Sequence, residues 1–263
     1  MDFLAIDQTL CRRDGVCVDV CPLRLIRIGN DELPHAVPDA AQRCIRCGHC
    51  QAFCPTGALI REGQDPQTLA PVRKGLAVPS EAALQLLRAP RSVRRYTRES
   101  VSRDLIVRLL DVTRHAPTAM NAQPVRWLVF DDRALLHELA GRIAEGLRAI
   151  GFYVDAAEAF AKGHDNILRE APALVAAWAD ADAVMPAVDC TIALTTFAIA
   201  AHAHGLGTCW AGMLMATARQ PWVAALLDIP APGALYGALM LGHPRHTPRR
   251  LPPRNPLRAT WRP

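Results

Sequence analysis

The chain has 263 residues, 51% hydrophobic and 21% charged, with a net charge of +5. That length accommodates one domain of ordinary size and a smaller one, and so large an apolar share supports a core, which excludes a disordered adaptor. The most apolar segment, Val184 to Leu206, is interrupted by Asp189, His202 and His204, so it predicts a buried helix and not a membrane span.

In chain order, the amino terminus comes first. Met1-Asp2-Phe3-Leu4-Ala5-Ile6-Asp7 carries an acid at its second position and no long apolar core, so no secretory signal is expected and the compartment is read as cytoplasmic. Disulfides are rare there, so the cysteines need another use. Seven of the nine lie within the first 54 residues, in two runs that each end in Cys-Pro. The second run is Cys44-x2-Cys47-x2-Cys50-x3-Cys54-Pro55, and the first is Cys11-x2-Asp14-x2-Cys17-x3-Cys21-Pro22. Zinc sites also use Cys-x2-Cys pairs, but zinc explains neither the third and fourth cysteines nor the repeated Cys-Pro ending. The spacing resembles that of a two-cluster bacterial ferredoxin, whose fourth cysteine ligates the other cluster. The resemblance implies one cluster on Cys11, Cys17 and Cys54 with Asp14 at the fourth iron, and a second on Cys44, Cys47, Cys50 and Cys21. A carboxylate holds iron less firmly than a thiolate. Three readings of Asp14 stay open: it ligates a [4Fe–4S] cluster, the iron is lost to leave [3Fe–4S], or Asp14 only caps the turn at Gly15.

Short apolar runs at Phe3–Ile6 and Ala58–Ile60 read as small strands beside the cysteine loops. A segment of this size buries too little surface to fold alone, so bound clusters must hold it together. From Glu62 to Ser80, prolines and glycines without periodicity mark a linker. The expected partition is residues 1–62, a linker at 63–80, and a larger domain at 81–263. In the larger part, a helical stripe runs over Val101–His115, a strand over Trp127–Phe130, and a helix over Arg133–Ile150. A buried strand near Ala173–Ala177 follows, then a long helix over 184–204 that ends at Gly205 and Gly207. A short helix over Thr217–Leu227 tolerates Pro221 only near its first turn, and Leu235–Leu241 is a last strand. The fold class is α+β.

Three segments of this domain stand out. They are Arg91-Ser92-Val93-Arg94-Arg95-Tyr96, Pro117-Thr118-Ala119-Met120-Asn121-Ala122-Gln123-Pro124, and Gly205-Leu206-Gly207-Thr208-Cys209-Trp210-Ala211-Gly212. In this order, with Pro248-Arg249-Arg250-Leu251-Pro252-Pro253-Arg254 after them, they resemble the nitroreductase family of flavin enzymes. From Leu235 onward there is no Asp or Glu but there are six arginines. Without interleaved aromatics, such a tail suits a small anionic partner better than nucleic acid or a membrane. The resemblance implies that Arg91, Ser92, Arg94 and Arg250 converge on the phosphate and ribityl chain of FMN, with Arg254 in support where Pro90 replaces a basic residue. Guanidinium groups grip a phosphate dianion in pairs of hydrogen bonds. It also implies that Pro117, Thr118, Ala119, Asn121 and Gln123 reach a flavin held largely by a neighbouring subunit, and that Trp210, Ala211 and Gly212 lie against the ring. A homodimer with shared sites follows. Cys190 and Cys209 read as packed residues.

No Gly-x-Gly-x-x-Gly follows a strand, so no separate nicotinamide-binding domain is expected. The leading expectation is an oxidoreductase: a ferredoxin-like or other low-potential donor feeds the clusters, the clusters feed FMN, and a nitroaromatic, quinone or similar acceptor is reduced. The alternative is an electron-transfer adaptor for a partner protein, without a substrate pocket. Reductive dehalogenation or oxygen-dependent flavin cleavage is a third.

Overall fold

The chain forms two compact units, Met1–Ala77 and Val78–Pro263, in a computed structural model that describes residues 3–262. In the first, β1 (Leu4–Ile6), α1 (Val16–Asp19), β2 (Ile26–Ile28), β3 (Pro34–Ala36), α2 (Ala40–Arg43), α3 (His49–Ala52) and β4 (Leu59–Arg61) follow in order. β1 pairs antiparallel with β4, and β2 with β3, each as a separate two-stranded ribbon. Gly15 and Gly48 precede α1 and α3 at φ of 72° and 74°. Without a Cβ, glycine takes this left-handed conformation at no steric cost, so each cysteine loop can reverse sharply into a helical turn. The core cluster is small: Cys17, Ile26 and Leu59 are buried, with Leu4, Ile6, Val18 and Cys50 packed against them. Between β4 and the next helix the described backbone holds two short 3-10 turns, Pro66–Thr68 and Lys74–Leu76.

The second unit contains α4 (Ser80–Arg88), α5 (Arg103–Thr113), β5 (Arg126–Phe130), α6 (Arg133–Ala149), α7 (Val154–Ala161), β6 (Ala173–Asp180), α8 (Pro186–Ala203), β7 (Gly207–Trp210), α9 (Gly212–Thr217), α10 (Pro221–Leu226) and β8 (Gly233–Gly242). The sheet is antiparallel, in the order β5-β6-β8-β7. Alternate side chains of a strand face opposite sides, and β6 shows what that does in a central position. Leu174, Ala176 and Trp178 pack with Leu139, Ile143 and Leu147 of α6. Val175, Ala177 and Ala179 pack with Ile106 and Leu109 of α5 and Leu194 and Phe197 of α8. Helices thus cover both faces of the sheet, which is why β6 reads as a continuous apolar run.

Side-chain caps fix where helices start. The Ser102 Oγ accepts a hydrogen bond from Leu105 N at 3.3 Å, and Asp132 Oδ1 accepts from Ala134 and Leu135 N at 2.8 and 2.9 Å. Pro186 opens α8 and Pro221 opens α10, where a missing N–H costs nothing. The helix expected over Thr217–Leu227 is found as α10 alone, which starts only at Pro221, and α9 is a separate helix that ends at Thr217. Four elements of this unit, α4, α7, α9 and the strand β7, were not expected from the sequence. α8 is apolar all round, yet Val184, Met185 and Val188 at and just before its start are 62%, 48% and 45% exposed.

Candidate functional site

The two cysteine runs sort into two cavities, and each cavity draws on both runs. One, about 460 Å³ counting its open mouth, is bordered by Cys21 from the first run and Cys44, Cys47 and Cys50 from the second. The other, about 400 Å³, is bordered by Cys11, Asp14 and Cys17 from the first run and Cys54 from the second. Backbone N–H groups already point at sulfur: Leu25 N donates to Cys21 Sγ at 3.3 Å, Arg46 N to Cys44 Sγ at 3.4 Å, and Ala58 N to Cys54 Sγ at 3.3 Å. Among the described residues no three His, Cys, Asp or Glu side chains converge as ligands of a single metal ion. The sulfurs surround a space instead of meeting at a point. Soft donors arranged in this way, with N–H groups aimed at them, fit a sulfide-bridged iron cluster.

The environments of the sulfurs differ. Burial raises the Cys17 thiol above its usual range and pushes Cys50 up to about 11, with the positive charge of Arg61 opposing the shift at Cys50. At Cys54 burial also disfavours ionisation, but hydrogen bonds from Thr56, Ala58 and Leu59 outweigh it and hold the thiol below the ordinary value. Asp14 Oδ1 accepts from Val16 N at 3.2 Å, so the carboxylate borders its cavity and caps the Gly15 turn at once.

In the second unit, Arg91 follows α4 directly. Its Nη1 donates to Arg88 O at 2.7 Å, while its buried Nε has no hydrogen-bond partner among the described residues. The segment is tied on both sides: Val93 N donates to Thr208 O in β7, and Arg245 N donates to Arg95 O, each at 2.9 Å. A Cβ on Gly207 would lie 2.5 Å from a Val93 methyl, so this close approach requires glycine. The result is a cavity of about 670 Å³ counting its mouth, lined by Arg91 and Val93, the end of α8 with Gly205 and Gly207, and Pro244 to Pro248. An orphaned guanidinium N–H at its wall suits an anionic ligand, so the residues present fit the phosphate end of a flavin nucleotide.

The Pro117–Gln123 loop is held elsewhere. Ala119 N donates to Asp189 Oδ1 at 2.9 Å, and Gln123 N donates to Thr118 Oγ1 at 3.0 Å. Met120, Asn121 and Gln123 all have positive φ, between 49° and 53°, a strained conformation for residues with a Cβ. Asp189 lies near the start of α8, whereas His202 and Gly205 of the Arg91 cavity lie at its end. At 1.5 Å per residue that is about 20 Å along the helix. A single chain therefore does not bring the loop to Arg91. Arg250 and Arg254 are exposed, beyond the last residue that lines the cavity. Ser92 and Arg94 are also exposed, and Arg94 Nη1 donates to Ser92 O at 3.4 Å.

At the far end of β7, Ala211 is buried and its N–H donates to Ala238 O at 2.9 Å, so it has none to offer a ligand. Gly212 differs: a Cβ there would meet no atom closer than 3.9 Å, so internal packing does not demand glycine and its backbone is open to a flat ligand. Trp210 is 42% exposed beside it. Asp189 was missed as a site residue by sequence reasoning. It is 1% exposed, and its Oδ2 has no hydrogen-bond partner among the described residues. An acid inside an otherwise apolar helix is the signal that marked it. Cys190 and Cys209 are buried, and burial pushes the Cys190 thiol up to about 12.

Comparison with known proteins gives independent matches to both units. Residues 87–243 match the nitroreductase family, and residues 9–59 match the 4Fe-4S dicluster domain. Over 170 residues the chain is 30% identical to 5,6-dimethylbenzimidazole synthase of Rhodospirillum rubrum, covering 59% of this chain and 78% of that protein. Over 67 residues it is 34% identical to the ferredoxin named 7Fe of Hydrogenibacillus schlegelii, covering 26% of this chain and 81% of that one. A nitroreductase of Bacteroides fragilis, crystallised with bound FMN, superposes with a TM-score of 0.54 at 25% identity, over 67% of this chain and 94% of its own. With more than half of its residues in that match, the chain belongs to the nitroreductase family and carries a 4Fe-4S dicluster ferredoxin domain ahead of the nitroreductase domain.

Proposed function

We propose that the protein is an iron–sulfur flavoprotein oxidoreductase that passes electrons from a low-potential donor, such as reduced ferredoxin, through its clusters to FMN and on to a small electrophilic acceptor such as a nitroaromatic or quinone. Residues 1–62 form the cluster domain, 63–80 the linker and 81–263 the flavin domain. The observation that carries this reading is the sorting of Cys11, Asp14, Cys17 and Cys54 to one cavity and Cys21, Cys44, Cys47 and Cys50 to another, in a chain of the nitroreductase family. The four-cysteine site takes a [4Fe–4S] cluster. The other takes either a [4Fe–4S] cluster with Asp14 as ligand or a [3Fe–4S] cluster, and the similarity to a ferredoxin named 7Fe supports the second. About eight irons per chain, or about seven, tells them apart.

FMN supplies the hydride and one-electron chemistry, and the protein supplies placement and field. Arg91 and Arg94 grip the phosphate, Arg250 and Arg254 join them from the tail, and Ser92 adds a hydroxyl. Thr118 and Ala119 pass close to the ring, Asn121 and Gln123 bond its polar edge, and Trp210, Ala211 and Gly212 shape the wall against its face. The roughly 20 Å between the loop and the Arg91 cavity supports a homodimer in which each site takes its loop from the second copy. The exposed apolar start of α8 supports the same arrangement, because such a surface is normally covered.

The test is stopped-flow bleaching of the flavin in the full-length protein, with reduced ferredoxin, NADH and NADPH as donors. Ferredoxin should be much the fastest. If NADPH bleaches the flavin at the same rate when the clusters are destroyed, and ferredoxin does not bleach it at all, the clusters are not its supply line.

A further inference from the structure

The two cysteine cavities are related by an internal repeat. One offset in sequence takes Cys11, Asp14, Cys17 and Cys21 to Cys44, Cys47, Cys50 and Cys54, and it also takes β2 to β4. Under that offset Ile28, the last residue of β2, corresponds to Arg61, the last residue of β4. Each lines a cavity: Ile28 the one with three cysteines and Asp14, Arg61 the one with four cysteines. The repeat therefore places an apolar side chain at one site and a cation at the other.

Arg61 is held in place there. Its side chain is 11% exposed, its Nε donates to Oε1 of the buried Gln51 at 3.4 Å, and Gln51 Nε2 donates to Gln64 O at 3.2 Å. Glu62 Oε2 accepts from Arg61 Nη1 at 3.2 Å, and Glu62 is shared with Arg46, which donates to it from Nε and Nη2 at 3.1 and 2.9 Å. Glu62 and Arg46 are 37% and 57% exposed, so Arg61 is the least solvated charge of the three and acts on the four sulfurs with the least screening. The three-cysteine cavity is bordered by Arg12 and Arg13, but both are exposed and Arg13 is paired with Glu32 at 2.7 Å. Water screens exposed charges, whereas a charge with little solvent contact acts at a lower dielectric.

We infer that Arg61 is an electrostatic tuning residue that raises the reduction potential of the four-cysteine site. One-electron reduction adds one negative charge to that site, and a fixed cation beside it favours the added charge. The inference rests on the iron–sulfur reading given above and adds to it a residue that is not a ligand and an ordering device between the two sites.

The experiment is a dithionite titration of full-length, anaerobically purified protein with the midpoint of each cluster followed by EPR. Arg61→Gln should make the four-cysteine cluster about tenfold harder to reduce, about 59 mV for one electron, and leave the other midpoint in place. Arg61→Lys, which keeps the charge, should stay near wild type. Glu62→Gln should move the midpoint the opposite way, and it decides the matter if Arg61→Gln fails to load a cluster. A fully loaded Arg61→Gln protein with an unmoved midpoint overturns the inference, as does an equal fall in Arg61→Lys, which would mean packing and not charge. Wild-type protein without acid-labile sulfide would instead overturn the iron–sulfur reading itself.

Discussion

In the first unit, Cys17, Ile26 and Leu59 make up the core cluster that joins three-residue strands. In the second, β6 is buried on both faces between α6 on one side and α5 and α8 on the other. The first unit has few buried positions, Leu25, Ile26, Leu33 and Leu59 among them, and six of its seven cysteines are only partly buried around the two cavities. The second has a far larger buried set of Leu, Ile, Phe and Ala. Chain entropy of about 1–2 kcal/mol per ordered residue opposes folding in both, and only the second has an apolar interior of ordinary size to offset it. The first must take its stability from what its cysteines bind. Its sequence is thus a list of ligands with turns between them, whereas that of the second is a pattern of faces.

The sharpest way to break this comparison is to remove the ligand in one unit and the core in the other. Cys47→Ala, or iron extraction, should leave the first unit open to proteolysis up to about the linker while the second keeps its thermal transition. Phe197→Ala, at a fully buried position of α8 in the core with β6 and α5, should do the reverse. It should cost the second unit about 3–5 kcal/mol and leave iron and sulfide content unchanged. Calorimetry with metal analysis on both variants reads the two effects. Equal loss of both transitions in both variants would mean that the units do not fold independently.

What could be read from the sequence follows the same division. The crossed grouping of the cysteines at two cavities was expected because Cys-x2-Cys-x2-Cys-x3-Cys is a local signal that resembles the ferredoxin spacing. Strands β5, β6 and β8 were legible as apolar runs bounded by turns. β7 was not: it has four residues, starts with glycine, and exists because β8 pairs with it from Gly207↔Gly242 to Trp210↔Leu239. α7 was missed although Gly151 and Gly163, both at positive φ, bracket it; its start is set by Tyr153 at φ of 50°, a residue type that carries no turn signal. Asp189 could be seen only as an interruption of an apolar helix, since its partner Ala119 lies 70 residues away. Arg61 carried no signal except its place in the repeat.

A smaller effect tests whether the second unit's cationic tail works with its cavity. Arg250 is exposed and the Arg91 cavity ends at Pro248, so a contribution from Arg250 requires the tail to close over bound FMN. Arg250→Ala should weaken FMN binding by about 1.5–3 kcal/mol, the scale of one hydrogen-bonded charge, with no change in Tm of the flavin-free protein. Quenching of FMN fluorescence measures the first quantity and a melt the second. Affinity equal to wild type would place the tail outside the flavin site.

The smallest expected effect concerns Asp189, which joins the core of the second unit to its loop. Its Oδ1 accepts the Ala119 N–H, and the segment that follows holds Met120, Asn121 and Gln123 at positive φ. Strained backbone persists only where its surroundings over-determine it, and this hydrogen bond is one of those restraints. Asp189→Ala leaves the Ala119 N–H unpaired, a loss of about 1–3 kcal/mol. The same change also removes a buried carboxylate oxygen that has no partner of its own, which recovers part of the loss and puts the net near the lower end of that range. Asp189→Asn keeps an acceptor in place and gives up the charge in the first turn of α8, where the helix dipole favours a carboxylate by about 0.3–1 kcal/mol. The expected order of Tm is therefore wild type, then Asn, then Ala. If the loop reaches FMN as proposed, FMN affinity should follow that order, because a released loop would no longer hold Asn121 and Gln123 in one geometry. An Asn variant as damaged as the Ala variant would show that the charge of Asp189, and not its hydrogen bond to the loop, is what the fold uses.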